Sequence, residues 1–193
     1  MTRRKRDGIT ADQVRELLDY DPATGIFTWR YRPDELLRWN VRYAGAVAGS
    51  PHVRGYIRIS VFHLHYWAHR LAWLHYYGEW PAQGIDHIDG NQTNNAIANL
   101  RAANQEQNSC NSKTLKNNKL GYRNVSFCKA MNRLVVRFTK GKGPTARTLY
   151  QAYFSTLEEA VADRNRMAVI LQGEFARPTA PITTAIDIQP AVV

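Results

Sequence analysis

The chain has 193 residues, of which 44% are apolar and 22% are charged, a balance that suits one ordinary globular domain or two small ones. It contains no run of 18 apolar residues, which excludes a transmembrane helix, and its two cysteines cannot form a four-cysteine zinc site. No apolar signal segment follows the basic N-terminus, so we expect a cytosolic protein without a membrane partner.

The net charge of +10 is concentrated in one part of the chain. Residues 101–150 contain eleven Lys and Arg residues and a single acidic residue, Glu106, whereas basic and acidic residues balance over the rest. Tyrosines and phenylalanines are interleaved with these charges. A basic, aromatic-rich segment in an otherwise balanced protein favours a nucleic acid as partner over a merely solubilising surface.

The N-terminal part predicts a helix followed by a strand. Thr10 and Gln13 form the pattern of a capping box, and apolar residues at helical spacing follow it. The turn signal at 21–25 is expected to end this helix. Residues 26–29 are expected to form a strand, and no structure is assigned to 31–43.

The middle of the chain predicts a strand, a helix, a hairpin and a second helix. Residues 56–61 alternate like a half-buried strand, and 67–77 form an apolar and aromatic run without Gly or Pro that is typical of a helix. Residues 85–93 are expected to form a short hairpin with Asp89-Gly90 as its tight turn. Residues 102–112 are expected to be helical.

The C-terminal part predicts a sheet followed by one helix. Ser155 is the expected N-cap of a helix that runs to about Gly173. Residues 113–120 are basic and polar, as in a linker, and 177–193 are expected to form a poorly ordered tail. The three candidate strands are 122–129, 133–139 and 147–154.

The pair Asp86-His87 is the strongest chemical signal. Asn99 follows His87 by twelve residues and Asn108 follows it by twenty-one. A carboxylate and an amide oxygen can hold a hard divalent cation, and an imidazole can take a proton from water near neutral pH. The pattern therefore favours a one-metal phosphodiesterase.

Residues 66–112 resemble the HNH endonucleases, in particular the homing and phage branch, through His69-Arg70, the run 85–91, Asn99 and Asn108. The resemblance implies a ββα-metal finger, in which a hairpin and a helix hold one divalent cation. By this resemblance Asp86 and Asn108 are metal ligands, His87 is the general base, and Asn99 braces the loop and orients the base. Asn111 is an alternative to Asn108 with a less suitable spacing.

The activity implied by the resemblance is metal-dependent, site-selective cleavage of double-stranded DNA that leaves 5′-phosphate and 3′-hydroxyl ends. Oxygen ligands favour Mg²⁺ or Mn²⁺ over zinc. A monomer would nick one strand, whereas a homodimer would be able to cut both. The resemblance also implies a phage- or prophage-encoded protein that acts in the cytoplasm of a bacterial host.

Residues 120–176 resemble the plant ethylene-response-factor DNA-binding domain through Gly121-Tyr122-Arg123, the run 133–138 and the helix entry at 153–160. That domain lays a three-stranded sheet into the major groove and backs it with one helix. Leu134, Arg137, Ser126 and Cys128 depart from its base-reading pattern, so no target sequence is implied. The residues expected to contact DNA are Arg70, Arg101, Arg123, Lys129, Arg133, Arg137 and Arg147.

We therefore expect an α+β protein with a ββα-metal core and a C-terminal sheet packed on one helix. The expected segments are an N-terminal α+β region at 1–60, the nuclease core at 61–112, the linker, a DNA-binding domain at 121–176, and the tail. The alternatives are a DNA-binding regulator derived from such a nuclease and, on charge and aromatic content alone, an RNA-binding module.

Overall fold

The computed structural model describes residues 8–112, 118–141 and 145–177. It divides into two compact units, Met1–Ser109 and Cys110–Val193. Helices and strands are mixed in both units, which confirms the α+β class. Most of the predicted linker at 113–120 and nearly all of the predicted tail at 177–193 lie outside the described residues.

The first unit begins with helix α1 (Ala11–Leu17) and a two-stranded hairpin. The Thr10–Gln13 capping box is confirmed, since each side chain binds the other's backbone N–H. The chain then enters strand β1 (Leu18–Asp21), which pairs antiparallel with β2 (Ile26–Trp29). The expectation that turn 21–25 ends the helix was wrong: burial alternates along β1, the period of a strand, and the turn joins two strands.

The next elements are helix α2 (Leu37–Tyr43), which lies within the unassigned segment, and the three-stranded antiparallel sheet β3-β4-β5 (Ser50–Pro51, Ile57–Val61, Leu64–Trp67). Helix α3 (Ala68–Tyr77) follows directly and ends at Gly78, whose φ of 82° is readily adopted only by glycine. The strand expected at 56–61 and the helix expected at 67–77 are thus confirmed to within one residue. Helices α1 and α3 share the core of this unit with apolar residues of β1, β2, β4 and β5.

The predicted site lies on an antiparallel pair, β6 (Gly84–His87) and β7 (Leu100–Ala103), followed by the short helix α4 (Gln105–Cys110). The expected tight hairpin at 85–93 was wrong. The turn at Asp89-Gly90 forms, because the Gly90 N–H binds the His87 carbonyl at 2.8 Å, but the chain continues through residues 88–99 before pairing. Residues 91–94 are all polar, and the side chains of Asn91, Thr93 and Asn94 make hydrogen bonds within this loop, so they do not form a strand.

The second unit contains the sheet β8 (Val125–Cys128), β9 (Arg133–Lys140) and β10 (Arg147–Phe154), in the antiparallel order β10-β9-β8, and helix α5 (Leu157–Gln172). The helix N-cap is Thr156, in a capping box with Glu159, so the expected cap Ser155 was one residue early. One face of the sheet and the helix share a buried apolar cluster.

A buried arginine connects α5 to the rest of the second unit. Arg164 is 1% exposed although it lies on the apolar face of the helix. Its Nε donates to the Arg123 carbonyl at 3.2 Å and its Nη1 donates to the Arg177 carbonyl at 2.6 Å. This guanidinium therefore supplies hydrogen-bond donors to two part-buried backbone carbonyls that the apolar residues around it cannot satisfy.

Candidate functional site

Asp86 and His87 occupy the last two positions of β6, and each is only 4% exposed. The strand register places Asp86 opposite Arg101 and His87 opposite Leu100. Adjacent side chains on a strand point to opposite faces. The two residues therefore share a place in the fold but contact different neighbours.

Asp86 is held by a buried ion pair with Arg101. The Nε and Nη2 atoms of Arg101 both donate to Oδ2 of Asp86, at 2.9 and 2.7 Å. The Arg101 side chain is 14% exposed and that of Asp86 is 5% exposed, so water screens the pair little. Arg101, expected from sequence to contact DNA, is thus placed beside the expected metal ligand, and its DNA contact stays a prediction.

His87 is surrounded by one amide and two rings. Its Nε2 lies 3.2 Å from Oδ1 of Asn95. The rings of His69 and Tyr56 lie 5.1 and 6.0 Å from the His87 ring, measured between centroids. Burial lowers the pKa of His87, partly offset by the Asn95 hydrogen bond and by nearby carboxylates, so the imidazole is neutral at pH 7 and able to accept a proton.

His69, at the start of α3, is buried against His87. Its Nδ1 atom has no hydrogen-bond partner among the described residues. Burial, and then the neighbouring His87 and Arg70, lower the pKa of His69 to about 3. A second neutral imidazole therefore packs edge-on against the first.

Asn99 braces the loop that follows His87. Its Oδ1 accepts from the Asp89 N–H at 3.0 Å, and its Nδ2 donates to the Asp89 carboxylate and the Asn94 carbonyl, each at 2.9 Å. These contacts hold the loop, and the expected role of Asn99 in orienting the base stays a prediction. Asn95, however, is the amide that contacts His87.

The expected second metal ligand lies on the short helix α4. Asn108 is exposed, and its backbone N–H binds the Asn104 carbonyl at 2.9 Å. The alternative, Asn111, is 4% exposed and lies just beyond the helix. Which of the two amides binds a cation stays a prediction.

The predicted DNA-contacting residues of the second unit differ in their exposure and contacts. Arg133 and Arg137 alternate with the buried Leu134 and Val136 along β9, so they lie on the sheet face away from α5. Arg123 is half-buried and binds Ser112. Lys129 and Arg147 are exposed.

In the first unit, the remaining predicted DNA contact is Arg70. Its guanidinium lies 5.3 Å from the ring centre of Trp80, a cation–π distance. This contact restrains the Arg70 side chain near the start of α3, the helix that also carries His69.

The donor set expected from the sequence would fit a hard cation better than zinc. Among the described residues, no group of three or more His, Cys, Asp and Glu side chains is placed to hold a metal ion. Carboxylate and amide oxygens such as those of Asp86 and Asn108 suit Mg²⁺ or Mn²⁺, which keep several water ligands.

Sequence reasoning missed two partners at this site. Arg101 was not predicted to pair with Asp86, and Asn95 was given no role. The hypothesis of a tight hairpin at 85–93 implied a different pairing partner for β6 than β7. The signal for Arg101 was available in principle, since opposite charges facing each other across strands are a recognised pairing.

The site lies within a segment of known type. A family model described as HNH endonuclease matches residues 66–110, which includes β6, β7 and nearly all of α4. Together with the relative described next, this match shows that the chain belongs to the HNH endonuclease family.

One curated relative is Protein 3.8 of Escherichia phage T7. It is 39% identical over 94 residues, which cover 48% of this chain and 73% of the phage protein. No solved structure matches the chain significantly. Among the described residues, no helix is long and apolar enough to cross a membrane.

Proposed function

We propose that this protein is a divalent-metal-dependent DNA endonuclease that hydrolyses phosphodiester bonds, with His87 as its general base. The observation that carries the proposal is the buried Asp86-His87 pair on β6, with the carboxylate and the imidazole each held by its own partner. A fixed, neutral imidazole beside a fixed carboxylate is suited to activate water next to a bound cation.

We further propose Asp86 and Asn108 as the ligands of one Mg²⁺ or Mn²⁺. When bound there, the cation supplies positive charge that stabilises developing charge on the phosphate and the leaving oxygen. Asp86 is a fixed carboxylate near the end of β6, which supports its role as the anchoring ligand, although its partner Arg101 would compete with the cation. Asn99 holds the loop between β6 and β7 so that His87 keeps its orientation.

The second unit would bind double-stranded DNA through the outer face of its sheet. Arg137 donates to the Gln151 side chain at 2.8 Å, and Gln151 donates to the Tyr153 hydroxyl at 2.7 Å. This chain of hydrogen bonds fixes Arg137 on the same face as Arg133. Fixed arginines on an open sheet face are suited to phosphate and base contacts.

The family and the phage relative favour a phage-encoded enzyme of the homing or phage HNH type, acting on host or phage DNA. The expected products carry 5′-phosphate and 3′-hydroxyl ends. Site selectivity would come from the second unit, whereas the first unit carries the chemistry.

The test is cleavage of supercoiled plasmid with Mg²⁺, Mn²⁺ or EDTA. His87→Ala should bind DNA normally and cleave about 10²–10⁴-fold more slowly, the usual contribution of a general base. The matched control is His65→Ala, because His65 is an exposed histidine on β5. Open-circle product indicates a nicking monomer and linear product indicates cleavage of both strands.

Cleavage by His87→Ala at the wild-type rate would refute the assignment of the base. DNA binding without any cation-dependent cleavage by the wild-type protein would favour a DNA-binding regulator instead.

A further inference from the structure

Asn95 is the least exposed polar residue of the loop between β6 and β7, at 2%. Its amide faces two groups: the Nδ2 atom donates to the Thr93 carbonyl at 3.2 Å, and the Oδ1 atom lies 3.2 Å from Nε2 of His87. An amide has one accepting and one donating end. The Thr93 carbonyl can only accept, so the nitrogen of Asn95 must face Thr93 and the oxygen must face His87.

The oxygen of Asn95 can only accept a hydrogen bond, so Nε2 of His87 must be the donor. A neutral imidazole carries one N–H, and its other nitrogen carries a lone pair. The proton of His87 is therefore on Nε2, and Nδ1 is the basic nitrogen.

The plane of the His87 ring is also restricted. The His69 ring meets it at 78°, edge to face, and the Tyr56 ring lies at 49°. Rotation of the imidazole would have to displace these rings, because close-packed side chains leave little free volume. The ring can therefore present Nδ1 in only a narrow range of directions.

Asn95 is itself held by the N-terminal hairpin β1-β2. The Tyr20 hydroxyl donates to the Asn95 carbonyl at 2.8 Å, and the Ile97 N–H binds the Pro22 carbonyl at 3.0 Å. A β-carbon on Gly25 would clash with the backbone of Asn95 and Ala96. The hairpin thus packs directly on the loop backbone and sets the position of the amide.

We infer that Asn95 is a positioning residue of the proposed nuclease: it keeps the proton of His87 on Nε2, so that Nδ1 accepts the proton of the attacking water. The inference rests on the proposed function. It also gives the N-terminal hairpin a role, which is to support the general base through Tyr20 and Asn95.

The first test is independent of cleavage. Long-range proton–nitrogen NMR spectra of the full chain, labelled with nitrogen-15 histidine and kept in EDTA at neutral pH, distinguish protonated from unprotonated ring nitrogens. His87→Ala identifies the His87 signals. We expect Nε2 protonated and Nδ1 unprotonated in the wild type, and averaged nitrogen signals in Asn95→Leu. The opposite tautomer in the wild type, or unchanged signals in Asn95→Leu, would overturn the inference.

The second test is kinetic. Asn95→Leu should lower kcat for plasmid cleavage by at least about tenfold, but by less than the ~10²–10⁴-fold that loss of a general base causes, with KM for DNA unchanged. Asn95→Asp keeps an accepting oxygen and should recover most of the rate. Tyr20→Phe should also lower kcat, whereas the control Tyr76→Phe, at a tyrosine that is 51% exposed, should not.

The outcomes separate the two proposals. Loss of cleavage in His87→Ala with full cleavage in Asn95→Leu would overturn the positioning role alone. Full cleavage in His87→Ala would overturn the proposed function. If Asn95→Leu fails to fold, the wild-type tautomer and the kcat of Tyr20→Phe still decide the inference.

Discussion

Replacing Arg101 tests the buried ion pair at the centre of the site. Arg101→Met keeps most of the side-chain length but removes both hydrogen bonds to Oδ2 of Asp86, at 2.9 and 2.7 Å. Loss of one partner from a buried ion pair typically costs about 3–5 kcal/mol, because the remaining charge is buried without compensation. The two side chains are 14% and 5% exposed, so solvent would recover little of this loss.

We therefore expect the free energy of unfolding of the first unit to fall by about 3 kcal/mol in Arg101→Met, measured by urea denaturation in EDTA. All five tryptophans lie between residues 29 and 80, so tryptophan fluorescence reports on this unit alone. Arg101→Lys keeps the charge but not the two-pronged contact, and it should lose about half as much.

A bound cation should reverse much of this effect. If Asp86 is a metal ligand, Mn²⁺ restores positive charge beside the uncompensated carboxylate. A ligand at 100 times its Kd stabilises a protein by about 2.7 kcal/mol, and Arg101→Met should bind the cation more tightly than the wild type because Arg101 no longer competes. Its gain in stability on adding Mn²⁺ should therefore exceed that of the wild type.

Two results would refute this reasoning separately. A wild-type urea midpoint for Arg101→Met would show that the ion pair contributes no stability. Equal stabilisation of both proteins by Mn²⁺ would show that Asp86 does not bind the cation.

Three further predictions concern other parts of the molecule. Burial holds the pKa of His69 at about 3, against 6.5 when unfolded, so the unfolded state binds more protons between these values. Stability should fall as pH drops through that window, by up to ~1.4 kcal/mol per unit. His69→Gln should flatten this dependence in urea titrations, and His65→Gln should not; equal slopes would contradict the assignment. Arg164→Met should destabilise the second unit by about 2–4 kcal/mol, because two part-buried carbonyls lose a charged donor; far-UV circular dichroism measures it, and an unchanged melting curve would contradict it. Replacing both Arg133 and Arg137 by Ala should reduce the slope of log K for DNA against log salt by about 1.8, and an unchanged slope would remove these residues from the DNA contact.

Local patterns were read correctly where neighbouring residues decide the structure. The capping box at Thr10, the helix ending at Gly78 and the strands 133–140 and 147–154 depend on residues within a few positions of one another. The N-cap at Thr156 was missed by one residue because Ser155 is an equally good local candidate.

The predictions from sequence were wrong where two different structures fit the same local residue pattern. Leu18 is buried whether it ends a helix or begins a strand. The helical spacing of the apolar residues after Gln13 therefore did not indicate where β1 starts. The Asp89-Gly90 signal does form a turn, but the strand that pairs with β6 begins ten residues after Gly90. Pairing across such a loop depends on the packing of the whole unit, which residue patterns do not contain.

The sequence by itself determined the family, the Asp86-His87 pair, the mixed helix and strand content and the location of the net charge, since these depend on residue types and their spacing. Only the tertiary structure decided which groups hold that pair. Arg101 meets Asp86 through a strand register, and Tyr20 meets Asn95 across 75 positions of the chain. Such contacts form because the core can be packed in one way, and spacing along the chain does not reveal them.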